Sequence, residues 1–201
     1  MRRLALLLVV TLAFGLASCL TGDAPQLKPE DLVQAKDLPG TYTAIALPGN
    51  PGGQPPSVDA RVEAAKDGSY FLTFIEADHV DTPTRLRLLP DQGDRYLCVF
   101  TEADSPDRAM YGRLEHEPAG GWAFHIFDIK PERRTEDLQP ILQRHGVEKI
   151  VFEQLGSDPA TTADHIQGAL SAAQIRALFS DPDVLAALQT DAGFRLQPKA
   201  H

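Results

Sequence analysis

Between residues 38 and 129, apolar and polar positions alternate with a period near two, and turn signals separate the runs. Residues 41–47 predict a strand. Residues 58–65 and 69–77 predict a hairpin around Asp67-Gly68, a dipeptide suited to a two-residue type I′ turn. That turn would place Ala64 opposite Phe71, Val62 opposite Thr73 and Ala60 opposite Ile75, small residues against large ones on one packed face. Residues 84–89 and 95–101 predict a second hairpin across Asp91-Gln92-Gly93-Asp94, and residues 109–117 and 122–129 a third across Gly120-Gly121. A last strand is expected at 148–154, which makes about eight antiparallel strands. The dense Pro-Gly segment at residues 48–56 reads as a long loop between strands.

Beyond residue 170 the period changes. Ser171-Ala172-Ala173-Gln174 is a capping-box pattern, and Ile175, Leu178 and Phe179 follow at helical spacing. Asp181-Pro182 restarts a helix, with Asp as cap and Pro in its first turn, and Val184, Leu185 and Leu188 continue the stripe. A shorter helix is expected from Pro140 to His145, stopped by Gly146. The expected fold is mainly β (α+β): an antiparallel sheet or barrel of about eight strands built from hairpins, with C-terminal helices packed on it. Closure would remove the exposed edges of such a sheet. Gly40-Thr41-Tyr42 resembles the Gly-x-Trp opening of lipocalins, with Tyr42 in place of Trp, and the resemblance favours the barrel form. The outward positions are too charged for a membrane-spanning barrel, which needs a lipid-facing apolar band.

A different apolar pattern opens the chain. Arg2 and Arg3 precede an almost unbroken apolar run at residues 4–16 and a stop at small residues, the three parts of a secretory signal. The run is short for a spanning helix, which needs about 20 apolar residues. Leu16-Ala17-Ser18-Cys19 resembles the lipobox of bacterial lipoproteins. That resemblance implies cleavage between Ser18 and Cys19, a diacylglycerol on the Cys19 thiol and an N-acyl chain on the new terminus. It also implies outer-membrane sorting facing the periplasm, because Leu20 stands where an inner-membrane protein tends to carry Asp. Two or three acyl chains suffice for stable anchoring. The domain plan is then a signal peptide at 1–18, a lipidated cysteine and polar tether at 19–37 with one helical turn near residues 30–35, and a single β-rich domain at 38–201.

Charge narrows the partners. The chain carries 19 basic and 28 acidic residues, and loss of Arg2 and Arg3 with the leader takes the formal charge from −9 to −11. Nucleic-acid binding leans on Lys and Arg at phosphates, and polybasic contact with anionic lipid needs the same residues, so the acyl chains must anchor alone. The two cysteines would form one disulfide in an oxidising compartment. Acylation of Cys19 instead leaves Cys98 a lone thiol in an apolar strand, inert as a nucleophile.

No hydrolase elbow, zinc-protease helix, phosphate loop or dinucleotide fingerprint occurs. If Gly120-Gly121 were the two-residue turn, His116 would face His125 and offer two metal or other ligand atoms, with Leu114 opposite Phe127. The plainer reading is two histidines packing near a barrel rim. His79 falls in a polar loop between hairpins. Asp158, Asp164 and His165 share a Thr- and Asp-rich loop at residues 156–168, a candidate functional segment. Trp122 reads as core, or as a contact site if exposed. No cofactor is expected beyond the acyl groups. Two functions remain open: a lipid-anchored module that binds an apolar small molecule or an envelope protein, and a periplasm-facing hydrolase or metal-dependent enzyme.

Overall fold

Eight strands close into an antiparallel barrel, and a smaller sheet extends from its wall. The computed structural model describes residues 20–47, 57–76, 79–130, 133, 135–154, 162–190 and 192–199. In chain order the strands are β1 (Leu20–Asp23), β2 (Gly40–Ala46), β3 (Ser57–Ala64), β4 (Tyr70–Glu76), β5 (His79–Val80), β6 (Thr84–Pro90), β7 (Arg95–Thr101), β8 (Arg108–His116), β9 (Trp122–Ile126) and β10 (Asp128–Ile129). Helix α1 (Thr135–Gln143), β11 (Lys149–Gln154), β12 (Thr162–Gln167), α2 (Ala172–Leu178), α3 (Pro182–Ala187), β13 (Leu188–Gln189) and β14 (Gly193–Pro198) follow. The barrel runs β8-β7-β6-β4-β3-β2-β14-β9 and returns to β8.

Seven of its strands are those the alternation predicts; the eighth is not. β14 closes the barrel between β2 and β9, whereas β11, expected as the last barrel strand, lies in the extension β11-β12-β1. In β14, Phe194 and Leu196 point into the barrel and Arg195 and Gln197 outward, a period of two lasting only six residues after a helical stripe. β1 is a further correction. Leu20–Asp23, expected within the tether, pairs antiparallel with β8 and parallel with β12. Only a four-residue run marks it in the sequence. The helical turn expected near residues 30–35 is a 3-10 turn at Pro29–Asp31.

Two hairpin registers also differ from expectation, for one reason. In both, the loop has three residues rather than two, and glycine is the last of them. Ala65 N–H donates to Ser69 O across residues 66–68, with Gly68 at φ +84°. No non-glycine residue among those described has positive φ, which excludes the type I′ geometry. Ala64 therefore pairs with Tyr70, Val62 with Leu72 and Ala60 with Phe74, and Phe71 is left 39% exposed. Likewise Glu117 N–H donates to Gly121 O, and Leu114 pairs with Phe124. Pro140, expected at the start of a helix, lies inside α1, while Gly146 (φ +77°) does follow its end. The Ser171 and Asp181 caps form as expected.

Two apolar cores share one wall. Inside the barrel, Tyr42, Tyr70, Leu72, Leu86, Leu88 and Phe124 are at most 4% exposed. Outside it, Leu97, Val99 and Tyr111 meet Phe179 and the other apolar faces of α1–α3. β7 is buried on both faces, Cys98 and Phe100 inward and Leu97 and Val99 outward, which explains its continuous apolar run. Phe124 stacks on Phe194 in the first core and Phe127 on Phe179 in the second, each pair 4.7 Å apart. The strand expected at 122–129 breaks at Phe127: β9 stays in the barrel and β10 pairs with β13.

β8 forks where this break occurs. Its first half pairs with β1 and its second with β9. Gly112 sits at the fork, where a Cβ would lie 2.4 Å from the His125 carbonyl oxygen. Neither backbone can yield without opening the seam. Gly112→Ala is expected to cost roughly 3 kcal/mol, within the upper range for single substitutions, read as a lowered urea midpoint.

Candidate functional site

The polar groups that sequence reasoning singled out are scattered, except at the extension. β12 carries His165 inside a strand, not in the loop expected at residues 156–168, because β1 and β11 both hydrogen-bond to it. Asp164 and His165 are each 4% exposed. His165 meets two residues of β1 that lie 142 and more positions away. Its Nδ1 is 3.1 Å from Thr21 Oγ1, and its Nε2 is 3.1 Å from Asp23 Oδ1. Gly168 N–H donates to Asp23 Oδ2 at 2.7 Å. With Nε2 protonated toward the carboxylate, Nδ1 accepts from the threonine hydroxyl.

A hydroxyl, an imidazole and a carboxylate in a row have the composition of a nucleophilic triad. Access decides what this row does. Thr21 is 5% exposed and packed inside the sheet, and its hydroxyl also lies 3.5 Å from the Asp164 carbonyl. No substrate reaches it in this arrangement. The row is instead a clasp that holds β1 against β12 and against the Gly168 turn. The Asp23 carboxyl is held below its ordinary pKa chiefly by the Gly168 amide; partial burial opposes this, and His165 and Arg108 add to the lowering.

The histidine pair does not form. His116 pairs with Trp122 and His125 with Arg113, a register three residues from the expected one. An odd shift sends the two rings to opposite faces of the sheet. His116 is exposed, edge-on to the Trp122 ring at 4.9 Å, and His125 Nδ1–H donates to the Thr190 carbonyl at 3.1 Å. Trp122 is core, 5% exposed, and its indole N–H donates to Asp37 O. His79 lies in β5 rather than a loop, 3.2 Å from Asp81. His145 meets Asp181, the cap of α3, at 2.7 Å. Cys98 is buried, which pushes its thiol pKa well up and leaves no thiolate nucleophile. Among the described residues no three His, Cys, Asp or Glu side chains gather where they would hold a metal. Ser18, Cys19 and Asp158 lie outside the described residues.

No family model, no curated protein and no solved structure matches the chain.

Two outcomes follow from this geometry. Zinc titrated into the protein and into His116→Ala is expected to give equal heats. The Asp23 contribution to stability is complete above the unfolded carboxyl pKa, about 3.9, and is lost as pH falls through its lower folded value. Asp23→Asn should therefore lower stability by about 1 kcal/mol at neutral pH, since charge-assisted bonds are discounted at a half-exposed group. The two proteins should converge in urea midpoint at acid pH.

Proposed function

We propose that the protein is a lipid-anchored, non-enzymatic β-barrel module of the bacterial cell envelope, held through Cys19 and engaging an envelope protein with its outer surface. The observation that carries the anchor is Leu16-Ala17-Ser18-Cys19 directly after a basic start and an apolar run. The acidic mature chain makes attachment a matter of acyl chains rather than of basic patches.

Between the two binding modes, the barrel interior favours the protein partner. A carrier of an apolar molecule needs a cavity of several hundred Å³, and the side chains lining it would be accessible inside. Here Tyr70, Leu72, Leu86, Leu88, Phe124 and Leu196 fill the interior and are each no more than 2% exposed. The small apolar crevice between Leu20, Leu138, Leu142 and Phe179 belongs to the second core and has room for a water at most. The enzymatic alternative loses support for a parallel reason, since in the hydroxyl–imidazole–carboxylate row found among the described residues the hydroxyl of Thr21 and the ring of His165 are buried.

Detergent-extracted protein is expected to show the mass of residues 19–201 plus a diacylglyceryl group and one further acyl chain. Cys19→Ala should move the protein from the membrane fraction to the soluble fraction, and high salt should not release the wild type. A mature chain without added acyl mass would overturn the anchor.

A further inference from the structure

We infer that the anchor acts without a tether, so that the bilayer headgroup surface lies directly against the folded domain where β1 begins. This rests on the proposed lipidation of Cys19. The sequence alone allows a flexible leash at residues 19–37, whose extended reach would be about 60 Å at roughly 3.3 Å per residue. The structure removes that leash at its first residue. Leu20 is 2% exposed, its N–H donates to Phe127 O at 2.8 Å, and it pairs with Asp164. Consecutive Cα atoms are about 3.8 Å apart, so the acylated residue lies within one residue of the folded wall.

β1 is also poorly suited to peel away and serve as a leash. It is an inner strand, with β8 on one side and β12 on the other. The Thr21–His165–Asp23 row and the Gly168 amide fasten it, and Ala24 N–H donates to Asp107 O beyond its end. A short attachment to a rigid strand restricts orientation as well as distance. The lipid then meets the domain where β1 begins, and β3, four strands from β8 in either direction round the barrel, lies on the remote side. Exposed Phe71 on β4 and Val80 on β5 belong to that remote side.

The chain has a single tryptophan, Trp122, which serves as donor. It precedes Phe127 by five residues, about 17 Å along a strand, and the Phe127 carbonyl holds Leu20. The lipidated protein is placed in vesicles containing a dansyl-headgroup lipid, beside a variant with twelve Gly/Ser residues inserted between Cys19 and Leu20. The insert adds about 19 Å of mean reach. Energy transfer from Trp122 should be strong in the wild type and at least about twofold weaker in the variant, at equal bound fraction and equal urea midpoint. In parallel, amides of residues 20–23 should remain protected from hydrogen exchange on the vesicle. Equal transfer in the two proteins, or rapid exchange in β1, would overturn the inference while leaving the anchor intact. Absence of acyl mass on the extracted chain, read beforehand, would overturn the anchor and the inference with it.

Discussion

The architecture depends on one strand serving two partners. β8 gives its second half to β9, closing the barrel, and its first half to β1, starting the extension. A continuous ladder on that edge would allow only one of these. The change of partner requires β9 to leave the barrel at Phe127, and it requires backbone to pass backbone at Gly112 more closely than any side chain permits. From this fork follow the two cores. The strands from β6 to β8 face the barrel interior on one side and the helical layer on the other, so the same wall is buried twice.

That double burial limits what the molecule can do with its interior. Small barrels are often filled by side chains rather than ligands, and the aromatic residues here complete the filling. Phe124 contacts both Phe100 and Phe194, and Phe74 meets Phe194 edge-on. The formal charge of the chain is negative, and ion pairs on its surface such as Arg61–Glu63 and Lys199–Asp59 are exposed and of small worth.

Local patterns in the sequence indicate the strands, the caps and the burial of Cys98, because each is decided within a few neighbouring residues. Register is less legible. Asp67-Gly68 and Gly120-Gly121 suggest two-residue turns, but a left-handed glycine serves equally as the third residue of a longer loop, and local preference does not choose between them. That small ambiguity separated His116 from His125. The clasp was half visible: His165 stands out as a candidate, whereas Thr21 and Asp23 sit in a run too short to read as a strand. Their meeting depends on a parallel pairing across most of the chain, which no local pattern encodes. The position of β14 in the barrel is hidden for the same reason.

The two ends of the chain have a consequence for the order of assembly. β1 waits for β12, more than 140 residues later, and β2 waits for β14 to cover its open side. Long-range pairings of this kind slow folding, because loop closure must be accomplished before any contact rewards it. During synthesis, the hairpins from β3 to β8 can form early, while β2 and β9 present open edges until β14 arrives. A chain interrupted before residue 193 would thus be more than a shortened copy: it would keep two unsatisfied strand edges, the form of backbone most prone to recruit other chains.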